Sequence, residues 1–410
     1  MSVPQRNRFR PAAGVVGRSA IFAAAASLLL NPATAHADVP AAIASLQSNF
    51  QTDVSGNPLK PIPGMIGLVR NGNTIQYVSY GNGNLNPKTA IDPTQKFRIA
   101  SVTKQFTATV VLQLEAEGKL SIDDTVAKWL PTAITPANNS NGYDGSKITI
   151  RQLLDQRSGL PDYTGSAAVV NPIFGIPLNL DGSISYAPQD LLRDALALSP
   201  PTTTGSTGPA DRGWNYSNTN YLLAGMIIQK VTGNQPGVEI TNRIIRPLGL
   251  ANTSFQTDPT MPPNSIHGYA PFVPTWDMAL NDVSTSNMQL YGSAGAIVST
   301  LADLSTFLQA LLSGKLLPSA QLAEMKTVVT TGGSYNYPSY GLGVGQAEPC
   351  GPGTGTAWEH TGNLWGYSTS WVANDDGSKQ VILMANEYDD IAEDMIWPMK
   401  PQTYQAYCLL

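Results

Sequence analysis

The stretch Ser101-Val102-Thr103-Lys104 opens the most regular helical pattern in the sequence. Apolar residues recur at helical spacing through the segment, and Gly118 provides a stop, so the pattern predicts a helix over 101–117. A spacing of three places the side chains of Ser101 and Lys104 on one face of the first helical turn. The stretch therefore brings a hydroxyl and an amine together at the start of a helix.

This pair has the chemistry of an activated nucleophile. A serine hydroxyl is a weak nucleophile until a base removes its proton, and a neutral lysine can be that base. Burial and positive surroundings lower the pKa of a lysine toward neutrality. The start of a helix adds free amides and a partial positive field, which suit a developing oxyanion. Ser101 is therefore the predicted nucleophile and Lys104 its base.

A second triplet, Tyr216-Ser217-Asn218, lies just before an apolar helical pattern at 219–231. A tyrosine near a cation can share or relay a proton, and an asparagine amide can hydrogen-bond both a lysine and a substrate amide. Tyr216 joins the predicted catalytic residues on this basis. A structural role for Tyr216 is the alternative, because the same kind of triplet occurs at Tyr80-Gly81-Asn82 in a predicted strand and turn.

A third triplet, His360-Thr361-Gly362, precedes a predicted strand at 368–373. A short polar triplet with glycine allows a substrate backbone to approach closely and pair with a strand edge. A lone histidine is more often structural, and His267 is given that interpretation.

The remaining pattern predicts strands at both ends of the chain and helices between them. Residues 63–80 predict a β-hairpin with an Asn-Gly-Asn turn. Residues 165–212 are rich in Pro, Gly, Thr and Ser and predict long ordered loops. Further segments are a helix from Ile150 to Gly159 after Thr149 as cap, a helix at 301–313, and strands at Gly341–Val344, Ser368–Ala373 and Val381–Ala385.

This order predicts two packed domains in a chain of 410 residues. A discontinuous α/β domain would be formed by 38–100 and 280–410, and a mostly helical domain with long loops by 101–279. A cleft between two such domains is the expected place for a pocket.

Residues 1–37 are predicted to be a signal peptide. Four arginines without an acidic residue precede an apolar stretch from Ala20 to Leu30, and Ala35-His36-Ala37 offers a small-x-small cleavage pattern. The apolar stretch is too short to span a bilayer. The protein is therefore expected to be exported to a periplasm or secreted, with an uncleaved anchor as the alternative.

Charge and motif content exclude several function classes. Removal of the four leader arginines leaves 20 Lys and Arg against 29 Asp and Glu, a net charge of −9, which argues against nucleic acid and anionic membrane surfaces. The sequence has neither His-Glu-x-x-His nor Gly-x-Ser-x-Gly, so no metal and no cofactor are expected. In an oxidising compartment Cys350 and Cys408 predict a disulfide that tethers the C-terminal tail, and two free buried thiols are the alternative.

The three triplets occur in one order, about 115 and 144 residues apart. This constellation resembles the penicillin-recognising serine hydrolases, which include D-alanyl-D-alanine carboxypeptidases, class C β-lactamases and related esterases and D-amino-acid peptidases. The resemblance covers nearly all of the sequence after the leader. Further matching segments are Phe97-Arg98-Ile99-Ala100, Thr149–Leu154, Ser158-Gly159-Leu160, Arg243–Leu250, Ser293-Ala294-Gly295 and Tyr340-Gly341-Leu342-Gly343.

The resemblance implies an α+β fold of the β-lactamase/DD-peptidase type, in which an antiparallel sheet is flanked by the terminal helices and carries an inserted, mostly helical domain. It also implies an acyl-enzyme at Ser101, with Lys104 and Tyr216 sharing the proton transfers. His in place of the more common Lys in the third triplet, with the cysteine pair, looks most like the secreted D-Ala-D-Ala carboxypeptidase branch.

The resemblance further implies a substrate-binding set made of Asn218, His360, Thr361, Gly362 and Asn363. Asn218 would position the base and the substrate amide, and His360 would act near the leaving group. The backbone amides of Ser101 and Asn363 would form the oxyanion hole, where a missing donor typically costs about 3 kcal/mol.

One departure concerns the substrate. Carboxypeptidase-like relatives often have basic residues just after Tyr-Gly-Leu-Gly, whereas residues 344–349 here contain no Lys or Arg. A cation that binds a carboxylate is not easily replaced by neutral groups.

A D-Ala-D-Ala carboxypeptidase-like enzyme is the expected function, with a β-lactamase-like enzyme, an esterase, a D-amino-acid peptidase or a non-catalytic penicillin-binding sensor as alternatives. The expected partner is a small peptide, β-lactam or ester substrate, and the protein is expected to be a monomer without stable membrane insertion.

Overall fold

A long antiparallel sheet built from both ends of the chain organises the structure. The structure is a computed structural model, and the signal peptide predicted for 1–37 lies outside the residues that it describes. The described residues are 38–56, 62–167, 169, 185–201, 213–271, 280–332, 337–387 and 399–410.

The strands fall into two groups separated by a mostly helical region. They are β1 Gly64–Asn71, β2 Thr74–Leu85, β3 Lys88–Ala90, β4 Phe97–Arg98, β5 Ser254–Phe255, β6 Tyr269–Pro271, β7 Leu280–Asp282, β8 Ile297–Ser299, β9 Val329–Thr330, β10 Ser339–Tyr340, β11 Gly345–Ala347, β12 Ala357–Leu364, β13 Tyr367–Ala373 and β14 Lys379–Ala385. Nine of them form one sheet in the order β3-β2-β1-β14-β13-β12-β11-β10-β9.

The described helices are short apart from four. They are α1 Val39–Gly56, α2 Thr103–Ala116, α3 Val126–Trp129, α4 Ile150–Leu154, α5 Pro188–Ala197, α6 Asn218–Thr232, α7 Pro236–Ile240, α8 Arg246–Leu248, α9 Gly292–Gly295, α10 Leu301–Leu312, α11 Ser319–Met325 and α12 Met399–Tyr407. A π-helical turn, Thr241–Ile245, joins α7 to α8.

The sheet is covered on one face by the two terminal helices. Phe50 of α1 and Met399 of α12 belong to one buried cluster with Val69 of β1 and Val381 of β14. Alternate residues of the same strands, such as Ile66, face the larger core on the other side. This arrangement confirms the predicted α+β fold of the β-lactamase/DD-peptidase type.

Helix α2 is central to that larger core, and this determines where its first turn lies. Phe106 stacks on Phe307 of α10 with ring centroids 3.6 Å apart. Thr107 Oγ1 donates to the carbonyl of Ser293 in α9 at 2.7 Å. Because α2 is enclosed on several sides, side chains in its first turn are held away from water.

Several predicted elements are confirmed. The hairpin of β1 and β2 turns at Gly72 and Asn73, with Asn71 paired to Thr74. The helix predicted over 219–231 is α6, and Gly233 ends it in the left-handed conformation with φ of 77°. Helix α10 and strands β13 and β14 also lie where the pattern placed them.

The prediction of a strand at Gly341–Val344 is wrong. Those residues form the tight turn between β10 and β11, in which the Gly341 amide donates to the Val344 carbonyl at 2.7 Å. Gly343 has a φ of 87°, which a strand residue cannot adopt and which favours glycine. The turn was missed because its apolar residues, Leu342 and Val344, are buried as those of a strand would be.

Two further predictions need correction. The helix expected to end at Gly159 ends at Leu154, because Gln156 adopts a left-handed φ of 66°. The predicted loop region 165–212 contains helix α5, which begins at Pro188 and buries Leu191, Leu192, Ala195 and Leu196. Proline at the first helical position and this apolar spacing were signals for that helix.

The predicted disulfide is present between Cys350 and Cys408, with Cα atoms 5.5 Å apart. It joins the segment after β11 to the last turn after α12. Residues 36–410 belong to one compact unit, and the finer division at 100/101 and 279/280 stays a prediction.

Candidate active site

Ser101 lies on a 3-10 turn, Ala100–Val102, that leads directly into α2. Ala100 has a φ of 50°, in the left-handed region that non-glycine residues rarely occupy. Thr103 Oγ1 accepts the Ile297 amide at 3.1 Å and fixes the start of the helix to β8. Backbone strain of the kind found at Ala100 persists only where the surrounding structure enforces it, and it is concentrated at functional sites.

Lys104 is fully buried one turn after Ser101. Its Nζ lies 3.0 Å from Ser101 Oγ, 2.7 Å from Asn218 Oδ1 and 3.0 Å from the carbonyl oxygen of Ala294. These three oxygens surround the amine and aim it at the serine. The structure thus brings together the hydroxyl and amine that the sequence paired.

Burial lowers the pKa of Lys104 to about 7, against the opposing charge of Asp162. Near neutral pH a large fraction of this lysine is therefore an uncharged amine. A neutral amine has two hydrogens, which suit Asn218 Oδ1 and the Ala294 carbonyl, and a lone pair that is left for the hydroxyl proton of Ser101. The geometry is that of a base bonded to its nucleophile.

Tyr216 lies against the same amine. Its ring centroid is 4.9 Å from Lys104 Nζ, and the residue is 8% exposed. Tyr216 also belongs to a buried aromatic cluster with Trp214, Tyr337 and Tyr340. Its position beside the amine fits the predicted share in proton transfer, and that role stays a proposal.

Asn218 is the first residue of α6, and its side chain is held at both ends. Oδ1 accepts from Lys104, while Nδ2 donates to Asp162 Oδ2 at 2.8 Å. The predicted share of this amide in substrate binding stays a prediction, since Nδ2 has two hydrogens and only one of them is needed for the bond to Asp162. Asp162 was not among the predicted residues.

His360 lies within strand β12, which directly precedes the predicted strand β13, and is fully buried. Its Nδ1 contacts the Thr361 carbonyl oxygen, and its Nε2 lies 2.9 Å from Tyr340 Oη. A carbonyl can only accept, so Nδ1 carries the hydrogen and Nε2 accepts from the tyrosine. Burial, reinforced by the charge of Lys104, lowers the pKa of His360 to about 3, so the ring is neutral.

Thr361 is bound by a residue that sequence reasoning missed. Its backbone amide donates to Tyr337 Oη at 2.9 Å, and its Oγ1 lies 2.8 Å from the same oxygen. One phenol therefore contacts both the backbone amide and the hydroxyl of the threonine in the third triplet. No spacing in the sequence connects Tyr337 to this triplet.

Gly362 lies against the backbone of the nucleophile. A Cβ at this position would be 2.3 Å from the Ile99 carbonyl oxygen and 3.2 Å from the Ser101 amide nitrogen. Only a glycine permits β12 to approach the turn this closely. The third triplet and the serine are therefore neighbours.

The amide of Asn363 points to the same side of β12 as that of Thr361. Alternate residues of an antiparallel strand direct their N–H groups to the same edge. The amide of Thr361 points away from β13, since it donates to Tyr337, and β11 pairs with β12 only over 357–359. This direction supports the proposed oxyanion hole of the Ser101 and Asn363 amides.

A largely buried ion pair joins this strand to α12. Lys400 Nζ is 2.9 Å from Glu359 Oε1 and 5.0 Å from the centroid of the Tyr337 ring. The carboxylate also accepts from the hydroxyl of Tyr404. Lys400 therefore lies close to Tyr337, but its charge is already paired with that of Glu359.

His267 lies in a separate hydrogen-bonded pair. Its Nδ1 is 2.6 Å from Asp282 Oδ2, and both side chains are partly exposed. Within the described ranges, no group of three or more His, Cys, Asp or Glu is placed to hold a metal ion. None of the helices described is long and apolar enough to cross a membrane.

Comparison with known proteins assigns the chain to one family. The Beta-lactamase family model matches residues 57–399, which is most of the chain. The chain belongs to the beta-lactamase family. It is therefore a member of the penicillin-recognising serine hydrolases, as the three triplets predicted.

Relatives of this beta-lactamase family member have several names. Penicillin-binding protein 4* from Bacillus subtilis (strain 168) is 28% identical over 339 residues, which cover 80% of this chain and 68% of that protein. Protein flp from Staphylococcus aureus (strain N315) is 35% identical over 197 residues, which cover 48% of this chain. The match spans about a third of protein flp, 35% of its length.

Solved structures of similar fold include two amide-cleaving enzymes. A D-stereospecific amidohydrolase from Streptomyces sp. is 35% identical with a TM-score of 0.72, and the match covers 84% of this chain and 94% of that one. The D-amino acid amidase from Ochrobactrum anthropi SV3, complexed with L-phenylalanine amide, is 23% identical with a TM-score of 0.70, covering 90% and 97%. The second similarity concerns the fold alone.

Proposed function

We propose that this family member is an exported serine amidohydrolase that forms an acyl-enzyme at Ser101 and cleaves amide bonds of D-amino-acid substrates. The observation that carries the proposal is the distance of 3.0 Å between Lys104 Nζ and Ser101 Oγ in a site where the amine is buried. An amine that is neutral near pH 7 can take the hydroxyl proton as the oxygen attacks.

The reaction follows from these contacts. Ser101 Oγ attacks the substrate carbonyl carbon, and Lys104 takes the hydroxyl proton. The negative oxygen of the tetrahedral intermediate accepts hydrogen bonds from the amides of Ser101 and Asn363. The C–N bond breaks, and the leaving nitrogen takes a proton through Lys104 and Tyr216. Water then attacks the ester carbon, which releases the carboxylic acid and restores the serine.

The leaving-group side favours an uncharged group over a free carboxylate. Thr361 presents its amide and hydroxyl to Tyr337 Oη, and residues 344–349 contain no Lys or Arg. Lys400 is paired with the buried Glu359. A substrate carboxylate placed here would lose water without gaining a matched cation. An amide or short ester carries no such charge.

The preference for D-amino acids is supported by the relatives. The Streptomyces protein named a D-stereospecific amidohydrolase matches this chain at 35% identity over 84% of its length. A D-Ala-D-Ala carboxypeptidase is the second candidate. It is supported by the His-Thr-Gly triplet and by the similarity to penicillin-binding protein 4* over 339 residues.

Export is part of the proposal. It is supported by the leader-like pattern of residues 1–37 and by the disulfide between Cys350 and Cys408, which is typical of oxidising compartments. N-terminal sequencing of the protein recovered from its native host should begin at Asp38. An intact N-terminus on cytoplasmic protein would refute this part. A monomeric state stays a prediction.

A substrate panel tests the function. D-phenylalanine amide, L-phenylalanine amide, a D-Ala-D-Ala peptide, a cephalosporin and a short acyl ester are assayed side by side, with Ser101→Ala as the matched control. We expect turnover of the D-amide at least tenfold above the L-amide and above the D-Ala-D-Ala peptide. Faster turnover of the D-Ala-D-Ala peptide would establish the second candidate. Equal turnover by Ser101→Ala would refute both.

A further inference from the structure

Asp162 connects two elements of the site, although it lies outside the three triplets and takes no part in the proposed reaction steps. It precedes the 3-10 turn Tyr163–Gly165, and its Oδ1 accepts from the Thr164 amide at 2.9 Å and from Thr164 Oγ1 at 2.8 Å. Its Oδ2 accepts from the Asn218 amide at 2.9 Å and from Asn218 Nδ2 at 2.8 Å. Thr164 thus fixes one carboxylate oxygen and leaves the other for Asn218.

The contact determines which end of the Asn218 amide faces the base. An asparagine side chain can turn its oxygen or its nitrogen toward a neighbour, and the hydrogen-bond partners decide. A carboxylate accepts only, so Nδ2 must face Asp162 and Oδ1 must face Lys104, 2.7 Å from Nζ. In the reversed orientation the amide oxygen would face a carboxylate, and its N–H groups would face an amine.

The carboxylate also acts on the proton affinity of the base. Besides the oxygens of Asn218 and Ala294, the groups that surround Lys104 are the hydroxyl of Ser101, the rings of Tyr216 and Tyr221 at 4.9 and 5.6 Å, and the neutral His360. Asp162 is the acid whose charge raises the pKa of Lys104, and burial lowers that pKa more strongly, to about 7. Removal of the charge should therefore move the pKa of the amine further down.

We propose that Asp162 is a positioning residue that locks the Asn218 amide with its oxygen on Lys104 and so keeps the Lys104 amine aimed at Ser101. The inference rests on the proposed function, because a base is needed only if Ser101 is acylated. Asp162 touches no reacting atom: it positions Lys104 through Asn218, and its charge acts on the amine from a distance.

The first test replaces the charge while keeping the shape. Asp162→Asn should lower kcat/KM for D-phenylalanine amide about tenfold, the equivalent of one lost hydrogen bond to a charged group, and should move the acid limb of the pH profile to lower pH. Asp144→Asn is the matched control. Asp144 also precedes a 3-10 turn and accepts from the amide and Oγ of Ser146, at 2.9 and 2.6 Å, and none of its contacts reaches the site.

The second test exchanges the two side chains. Asn218→Asp alone places two carboxylates together and should lower kcat/KM at least 100-fold. The double variant Asp162→Asn/Asn218→Asp again places a hydrogen-bond donor at 162 opposite a carboxylate at 218. Its kcat/KM should therefore be at least tenfold higher than that of Asn218→Asp. Its acid limb should move to higher pH, because the new carboxylate contacts the amine directly.

The outcomes separate this inference from the proposed function. A wild-type protein that no amide or ester acylates at Ser101 refutes the function. A wild-type protein that is acylated, with a folded Asp162→Asn of unchanged rate and pH profile, overturns the role of Asp162 alone. If the single variants do not fold, as checked by thermal denaturation, the double variant decides: no recovery of folding and activity over Asn218→Asp overturns the inference.

Discussion

The phenol of Tyr337 contacts both the backbone amide and the side-chain hydroxyl of Thr361, with its oxygen 2.9 Å from the backbone nitrogen and 2.8 Å from Oγ1. Without the Tyr337 hydroxyl, this threonine of the third triplet would offer its backbone amide and its hydroxyl to the leaving group. The tyrosine is 2% exposed and packs with Tyr340 and Trp214, so its hydroxyl is held in place. A residue far from the triplets in sequence thus shapes the leaving-group side.

Removal of that hydroxyl should change the leaving-group preference. In Tyr337→Phe the amide and hydroxyl of Thr361 become available to a substrate carboxylate. The ratio of kcat/KM for a D-Ala-D-Ala peptide to that for D-phenylalanine amide should rise about tenfold, as expected for one hydrogen bond to a charged group. Tyr340→Phe is the control, because its hydroxyl contacts His360 and leaves Thr361 unchanged. An equal shift in both variants would contradict the assignment to Tyr337.

The pH dependence should be that of a lysine base. Burial lowers the pKa of Lys104 to about 7, and only the neutral amine accepts the serine proton. The value of kcat/KM should therefore be low at acid pH and rise through a midpoint near 7. His360, with a pKa of about 3, should add no step between pH 5 and 8. A profile that is flat from pH 5 to 8 would exclude Lys104 as the base.

Lys104→Ala should lose about 10³-fold in acylation rate.

A methyl group on Gly362 should displace the nucleophile. The added carbon would lie 2.3 Å from the Ile99 carbonyl oxygen, so either β12 or the turn of Ser101 must move. We expect Gly362→Ala to lower kcat/KM about 100-fold, since misplacement by about 1 Å has that effect, and to destabilise the fold by about 1–3 kcal/mol. Gly165→Ala is the control, because nothing lies within 4 Å of its added carbon. Equal activities of the two variants would contradict the close packing of β12.

Loss of the disulfide should affect stability more than chemistry. Cys350 and Cys408 are 58 residues apart, and opening a loop of this size should cost about 2–4 kcal/mol. The double serine variant should therefore unfold at lower urea concentration while its kcat stays within about twofold of wild type. A larger fall in kcat at full folding would mean that the tether of α12 also positions the site.

The sequence predicted the parts of the site that are local. Ser101 and Lys104 are one helical turn apart, so their contact follows from spacing alone. The Asn-Gly turn of β1 and β2 and the glycine that ends α6 are equally local signals. The relations between triplets came from resemblance, because no spacing rule connects residues 115 or 144 positions apart.

Tertiary contacts explain what sequence reasoning missed. The role of His360 near the leaving group stays a prediction. The fold surrounds the ring with Tyr337 and Tyr340, and no local pattern in the sequence reveals that burial. Asp162 follows Ser158-Gly159-Leu160, a segment that resembles the family. An acidic residue two positions before a threonine is typical of an Asx turn, but this spacing does not reveal the contact with Asn218.

The central claim is that Ser101 becomes acylated with the help of Lys104. Intact-mass measurement after brief mixing with a fluorescent penicillin, followed by peptide mapping, tests it most directly. We predict one adduct on the peptide that contains Ser101 in the wild type, an adduct formed about 10³-fold more slowly in Lys104→Ala, and none in Ser101→Ala. An adduct on another residue, or equal labelling of all three proteins, would contradict the account.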